Sequence, residues 1–208
     1  MKTHNGKAFW MRCAGFYDRF MKKDNMAYKQ MCTLMRPYIR NKTVLELATG
    51  TGLIAHELAH DARSIEATDY APEMIAEAKR RDASSKLHFS VQDACHLPYA
   101  PQSFEVVVMS NALHIMPQPE LALSEIQRVL ADDGVFIAPT FTHAEMGLWA
   151  RWRAEMMKMV GFPLQKAWTP EAYLAFLRAN GFEIVESRVL KASFPLTYAV
   201  CRKSGGRN

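Results

Sequence analysis

The sequence has no long hydrophobic run. Its apolar stretches are short and interrupted, as at 104–110, where Glu105 breaks the run, and none approaches the ~20 apolar residues of a membrane-spanning helix. Residues 1–6 also lack the apolar block and small-residue cleavage site of a secretory signal. We therefore expect no spanning helix and a cytoplasmic location.

Cysteine is scarce as well. The four cysteines, at positions 13, 32, 95 and 201, stand singly, without a Cys-x-x-Cys pair that could hold zinc or cycle as a dithiol. The chain of 208 residues also shows neither an internal repeat nor a linker that would separate two domains. These absences predict one domain of ordinary size with reduced thiols.

Acidic residues are few at the start of the chain. Residues 1–40 contain nine Lys or Arg and two Asp, a net charge of +7, whereas the whole chain carries +5 and the remainder therefore −2. A basic head can attract an anionic partner, substrate or membrane surface, although a solvated charged face is the simpler explanation. The overall composition, 49% hydrophobic and 23% charged, is that of a folded soluble domain.

From residue 43 onward, short runs rich in β-branched residues alternate with helical patterns, which is typical of βαβ units around a parallel sheet. The predicted strands are 43–47, 64–68, 87–91, 104–109, 135–139, 183–190 and 196–201. The predicted helices are 53–60, 72–82, 119–130 with a stop at 132–134, 144–160, and one from the N-cap Thr169 to Gly181. The last two strands are joined by so short a link that they must be antiparallel.

A glycine-rich turn follows the first strand. Residues 46–52 run from the strand into Gly50-Thr51-Gly52 and then a helix, so the backbone can approach a ligand closely and the helix start can supply amide donors. The spacing of Gly50, Gly52 and Ala55 also fits nicotinamide or flavin dinucleotide proteins. The turn alone therefore leaves the cofactor open.

Three acidic residues near the ends of adjacent strands narrow the choice. Glu46 lies beside the turn, where a carboxylate would repel a pyrophosphate but attract a cationic ligand. Asp69 closes the second strand and can accept both hydroxyls of a ribose, and Asp93 follows the third strand, where it can accept from an exocyclic amine. Open α/β sheets bind ligands at this edge.

These residues resemble the class I S-adenosylmethionine-dependent methyltransferases, in particular the small-molecule branch with the ubiquinone and menaquinone biosynthesis methyltransferases and the methyltransferase type 11 domain. Residues 46–52 are similar to the motif E/D-x-G-x-G-x-G, with Ala48 in place of the first glycine. Residues 97–105 resemble L-P-F-x-D-x-S-F-D, with Glu105 replacing Asp. Residues 15–19 look like a head motif whose tyrosine, here Tyr17, closes over the cofactor.

The resemblance covers about residues 40–202 and implies a fold. It is an α/β Rossmann-like, seven-stranded, mostly parallel sheet with a C-terminal antiparallel hairpin and an N-terminal helical cap. The segments would be a cap or lid at 1–40, an S-adenosylmethionine-binding methyltransferase domain at 41–202 and a frayed tail at 203–208.

The resemblance also implies roles for individual residues. Glu46 would bind the methionine ammonium group, Asp69 the ribose, Met74 the adenine face, and Asp93 with Ala94 the adenine edge. The full set of expected cofactor contacts is Tyr17, Glu46, Ala48, Thr49, Gly50, Gly52, Asp69, Tyr70, Met74, Asp93, Ala94, Ser110 and Asn111.

Methyl transfer from a sulfonium is an in-line displacement, so alignment and exclusion of water can supply most of the acceleration. His114 is the best-placed candidate for a general base and His143 the second, but a structural role fits either equally well.

The acceptor pocket would form from the head around Trp10 and Tyr17 and from the Met- and Trp-rich segment 146–162. We expect a small apolar or amphipathic acceptor rather than nucleic acid.

Other functions stay open at this stage. His56-Glu57-Leu58-Ala59-His60 matches the zinc motif H-E-x-x-H, but no further histidine precedes position 88, so we expect no metal site. A membrane-surface phospholipid methyltransferase could use the basic, aromatic head as an anchor. A non-catalytic S-adenosylmethionine-binding module is also compatible, whereas a dinucleotide oxidoreductase would leave Glu46 unexplained.

Overall fold

The computed structural model describes residues 9–11, 22–81, 84–142 and 164–205, and its centre is an eight-stranded sheet. The strands are β1 Thr43–Leu47, β2 Ser64–Asp69, β3 Leu87–Val91, β4 Phe104–Met109, β5 Leu130–Ile137, β6 Thr140–Phe141, β7 Phe182–Leu190 and β8 Leu196–Lys203. The helices are α1 Asn25–Ile39, α2 Leu53–Leu58, α3 Pro72–Lys79, α4 Pro119–Val129 and α5 Pro170–Ala179. Two short 3₁₀ turns are Lys22–Asp24 and Leu113–Ile115.

The strand order is β3-β2-β1-β4-β5-β8, and β7 pairs with the outer side of β8. Strands β1 to β5 are parallel, whereas β8 is antiparallel to β5 and β7. This arrangement confirms the predicted α/β fold and its antiparallel hairpin. The sheet has eight strands rather than seven because the two-residue β6 pairs with β8 beyond the end of β5.

Helices cover both faces of the sheet because the central strands are apolar on both sides. Helices α1, α2 and α3 pack on one face, and α4 and α5 pack on the other. The middle of β4, with Val106, Val107 and Val108 each at most 1% exposed, lies between the two layers. The carboxyl ends of the parallel strands therefore meet at one edge, which is where such sheets bind ligands.

The boundary between α4 and β5 differs from the prediction. The helix ends at Val129, one residue before the predicted end at 130, and the strand begins at Leu130 rather than at Val135. Leu130 pairs with Phe104 while Val135 pairs with Val106, so the residues between them bulge out of the ladder. Glycine is favoured within the bulge, since a Cβ on Gly134 would lie 2.9 Å from the backbone carbonyl oxygen of Ala131.

The last part of the chain follows the predicted pattern more closely. The Thr169 hydroxyl accepts a hydrogen bond from the Ala172 amide at 3.1 Å, which confirms the predicted N-cap of α5. Lys203, predicted as the start of the tail, pairs with Phe182 at the end of β8.

Among the helices that the structure describes, none is long and apolar enough to cross a membrane.

Candidate functional site

The turn between β1 and α2 is built from left-handed backbone. Ala48, Gly50 and Gly52 have φ angles of 53°, 58° and 76°. This conformation is easy for glycine but costs a residue with a Cβ about 1–2 kcal/mol. Ala48 is exposed, so its methyl group fits without a clash and the turn keeps its path despite the missing glycine.

Asp69 holds this turn to the next helix. One oxygen of its carboxylate accepts from the Gly50 amide at 2.8 Å, and the other accepts from the Ala71 amide at 2.9 Å. Burial raises the pKa of Asp69, although the amides of Ala71, Gly50 and Tyr70 oppose the shift. Each carboxylate oxygen has a second lone pair, so the same group can still accept from a ligand hydroxyl.

Glu46 is a buried acid at the end of β1, only 3% exposed. Burial raises its pKa to about 8; the neighbouring Thr49 hydroxyl lowers it, the charge of Asp69 raises it, and the Ala55 amide lowers it. The Thr49 hydroxyl lies beside this carboxyl and is buried, and with the residues that the structure describes it forms no hydrogen bond of ordinary geometry. A buried carboxyl short of compensating charge, next to an unsatisfied hydroxyl, fits a cationic ligand.

An apolar surface lies at the start of α3. Met74 is 2% exposed and packs with Ala71, and the indole of Trp10 covers this pair. Tyr70, which follows Asp69 directly, is 52% exposed. Trp10, which we expect at the acceptor pocket, thus packs beside the predicted adenine face.

Asp93 follows β3, near the end of β2. Its carboxylate accepts from the Cys95 amide at 2.9 Å and lies 3.5 Å from the His96 ring nitrogen Nδ1. The amide of the preceding residue, Gln92, donates to the Asp69 carbonyl at 3.1 Å, which brings the two predicted contact regions together. Ala94 is half-buried beside Asp93.

An ion pair on α4 fixes the loop after Asp93. Arg128 donates to the carbonyls of Tyr99 and Leu97 at 2.6 and 3.0 Å, while Glu125 accepts from the Leu97 amide at 2.7 Å. Arg128 also pairs with Glu125 at 2.7 Å. No local sequence pattern predicts this clamp, because two of the four hydrogen bonds of Arg128 go to the backbone carbonyls of a distant loop.

The exit of β4 contacts helix α1. Asn111, with a φ of 53°, donates from its side chain to the Tyr28 hydroxyl at 2.9 Å and accepts from the Phe141 amide at 3.0 Å. The Ser110 hydroxyl lies 4.0 Å from the Met31 sulfur. Helix α1 therefore docks on the exit of β4 through Tyr28 and Met31.

His114 is buried at 3% exposure in the 3₁₀ turn after β4. Its Nδ1 lies 2.9 Å from the Thr140 hydroxyl, and its carbonyl accepts from the amides of Gln165 and Lys166, both at 3.0 Å. These contacts give His114 a structural role in joining three segments, and its action as a base stays a prediction.

Several predicted residues lie outside the described part of the chain. They are His143, the whole segment 15–19 with Tyr17, and the segment 146–162. Of the residues expected to form the acceptor pocket, Trp10 is described, and the lid and the pocket stay predictions.

The H-E-x-x-H motif does not form one helix face. Helix α2 ends at Leu58, before His60. The Nε2 atom of His56 lies 3.1 Å from the Ala78 carbonyl, and its ring lies against Phe89. Within the described ranges, no group of three His, Cys, Asp or Glu side chains could hold a metal ion.

Glu105, the acid that replaces Asp in the second motif, lies at the opposite edge of the sheet. It accepts from Lys42 at 2.8 Å and from the Thr43 amide at 2.9 Å. These contacts, that with Lys42 first, lower its pKa to about 2. Glu105 therefore fastens the start of β4 to the start of β1.

Comparison with known proteins gives consistent results. The family model of the methyltransferase domain matches residues 45–138. A demethylmenaquinone methyltransferase from Beutenbergia cavernae is 32% identical over 146 residues, which is 70% of this chain and 57% of that protein. One from Clavibacter sepedonicus is 28% identical over 80% of this chain and 76% of its own length.

The chain spans 57% of the first of these relatives and 76% of the second. Among solved structures, the 1,6-didemethyltoxoflavin-N1-methyltransferase of Burkholderia thailandensis, with its substrate and S-adenosylhomocysteine bound, superposes with a TM-score of 0.75. It is 18% identical and covers 95% of this chain and 87% of its own, a likeness of fold. The strand order, the acidic glycine turn and the matched residues agree: this chain carries a methyltransferase domain at residues 45–138, in a fold like that of the class I S-adenosylmethionine-dependent methyltransferases.

Proposed function

We propose that this chain transfers a methyl group from S-adenosylmethionine to a small apolar or amphipathic acceptor. The observation that carries the proposal is Glu46, a carboxyl that is only 3% exposed beside the glycine turn. A nicotinamide dinucleotide would bring a pyrophosphate to this turn and gain nothing from that acid. The ammonium group of the proposed cofactor would supply the missing positive charge.

The remaining contacts follow from the positions of the side chains. Asp69 keeps the turn in shape through Gly50 and has lone pairs left for the ribose hydroxyls. Met74 and Trp10 would offer an apolar surface for the adenine ring, and Asp93, after the neighbouring strand, would accept from its amino group. Each group would thus meet a chemically matching part of the cofactor.

The cofactor supplies an activated methyl group, so the chain needs to align the acceptor and exclude water. Asn111 and His114 fix the loop after β4, which lies at the same edge of the sheet as the turn. Their hydrogen bonds to Tyr28 and Thr140 hold this wall of the site rigid. If the acceptor must lose a proton, His114 is the candidate that the chain offers there.

The head would act as a lid over the cofactor. The support is Trp10, which already packs on Met74 and Ala71 although it lies far from them in the sequence. Closure of residues 9–23 over the strand ends would exclude water from the reacting centre. Hydrogen exchange of this segment should slow when S-adenosylhomocysteine binds, and equal exchange with and without it would exclude a ligand-coupled lid.

For the acceptor we propose a quinol-like ring with an apolar substituent. The support is the name demethylmenaquinone methyltransferase carried by similar proteins, together with a neighbouring fold that binds a small heteroaromatic substrate. A peripheral phospholipid is the second candidate, favoured only by the basic head.

Transfer of a radiolabelled methyl group separates these acceptors. We expect label to enter a reduced demethylated naphthoquinol and not phosphatidylethanolamine vesicles. Asp69→Asn should reduce the rate at least tenfold, whereas the matched acid variant Glu105→Gln, at the far edge of the sheet, should keep it within about twofold. Label in neither acceptor, with S-adenosylhomocysteine still bound, would refute the quinol and leave a binding module.

A further inference from the structure

Strand β7 forms an outer edge of the sheet. Among the strands that the structure describes, it pairs only with β8, so the hydrogen-bonding groups of its other side face outward. Val185 and Val189 on this strand are 50% and 56% exposed. An uncovered edge with exposed valines is a ready template for pairing with another strand.

The sequence of this strand is complementary to itself about Ser187. In residues 183–191, Glu-Ile-Val-Glu-Ser-Arg-Val-Leu-Lys, each acid lies as far before Ser187 as a base lies after it. Valines occupy the equivalent positions 185 and 189, and the branched aliphatics Ile184 and Leu190 follow the same symmetry. We propose that the β7 edges of two copies of this chain pair antiparallel about Ser187 and form a two-fold symmetric dimer.

The charges around the axis are already arranged for such a pair. Within one chain, Arg188 donates from Nε to Glu186 at 2.8 Å, and the other oxygen of Glu186 accepts from the Tyr38 hydroxyl at 2.8 Å. The guanidinium group is 58% exposed, and its contacts with described residues use only Nε. Its two terminal nitrogens therefore remain for Glu186 of the second copy.

Pairing about the axis gives four alternating charges. Antiparallel two-fold symmetry puts Glu186 of each copy opposite Arg188 of the other, and opposite charges on facing strands attract. A parallel in-register pair would instead oppose Glu186 to Glu186 and Arg188 to Arg188. The pattern thus selects one orientation as well as one register.

Edge strands often carry charges and bulges that prevent pairing. Strand β7 has a bulge between Ile184 and Glu186, which twists its outer edge. Protective charges, however, usually repel a second copy, whereas these attract one. The bulge lies at the end of the central stretch 185–189, so it limits the length of the pairing without removing its centre.

The test is the mass of the full chain in solution by light scattering and sedimentation, at concentrations up to ~100 µM. Wild type should approach 47.2 kDa, twice the 23.6 kDa of one chain. Glu186→Arg or Arg188→Glu should weaken the dimer at least tenfold, because each puts like charges across the axis. The double variant Glu186→Arg/Arg188→Glu restores opposite charges and should return the dissociation constant to within about threefold.

Arg188→Glu is the safer single variant, since it leaves the bond between Tyr38 and Glu186 in place. Circular dichroism and binding of S-adenosylhomocysteine should be unchanged in every variant, which separates loss of the dimer from loss of the fold or of the cofactor site. A monomeric wild type over the whole concentration range would overturn the proposal. So would a dimer whose dissociation constant is changed by neither single charge reversal.

Discussion

Cofactor binding should release a proton from Glu46. With a pKa of about 8 in the free protein, this carboxyl is almost fully protonated at pH 6.5. A bound ammonium group favours the charged form and should return the pKa to its ordinary range near 4.3. The expected release at pH 6.5 is therefore about 1 proton per ligand bound.

Calorimetric titration with S-adenosylhomocysteine, in buffers of different ionisation enthalpy at pH 6.5, measures this release directly. Glu46→Gln should bind at least tenfold more weakly and release almost no proton, because a neutral amide can neither titrate nor pair with the cation. Release of no proton by the wild type would refute the assignment of Glu46 to the cationic end of the ligand.

The same shift predicts a dependence of stability on pH. In the unfolded chain Glu46 ionises near pH 4.5, whereas in the folded chain it holds its proton until about pH 8. Between these values the folded state binds more protons, so stability falls as pH rises, by at most about 4–5 kcal/mol. The free energy of unfolding of Glu46→Gln, relative to wild type, should rise over this range in urea titrations.

Three further variants test the structural roles of single residues. Ala48→Gly should raise the melting temperature by about 2–4 °C, because it removes the conformational cost of ~1 kcal/mol that an alanine has in left-handed backbone. An unchanged or lower melting temperature would contradict backbone strain in the turn. Glu105→Gln should lower the free energy of unfolding by about 1 kcal/mol at pH 7. This difference from wild type should disappear as pH falls from 4.5 through about 2, where Glu105 becomes protonated. His56→Ala should lower the free energy of unfolding by ~1 kcal/mol, because it removes the hydrogen bond to the Ala78 carbonyl. A chelator should leave the wild-type melting temperature unchanged, and stoichiometric bound zinc would contradict the absence of a metal site.

The sequence predicted the sheet well because its signals are local. The β-branched runs match β1, β3 and β4 residue for residue, and Thr169 caps α5 as expected. The start of β5 was missed because pairing of Leu130 with Phe104 is a long-range effect that overrides the turn signal at Gly134.

The site was predictable only in part. Acids at strand ends follow from the order of elements, so the positions of Glu46 and Asp69 at the ends of β1 and β2 were predicted correctly. The unusual pKa of Glu46 depends on burial under neighbouring strands, and the contacts of Asn111 with Tyr28 and of Met74 with Trp10 join distant segments. No local pattern encodes which helix face docks on which strand end.

Thermal unfolding with S-adenosylhomocysteine and, in parallel, a nicotinamide dinucleotide tests most directly whether the turn at residues 46–52 binds an S-adenosyl cofactor. At a ligand concentration ~100 times the dissociation constant, binding adds about 2.7 kcal/mol to stability, which for a domain of this size raises the melting temperature by about 5–10 °C. We expect this rise with S-adenosylhomocysteine and none with the dinucleotide, and we expect Glu46→Gln to lose most of it. A rise with the dinucleotide alone, or an equal rise in Glu46→Gln, would contradict the account.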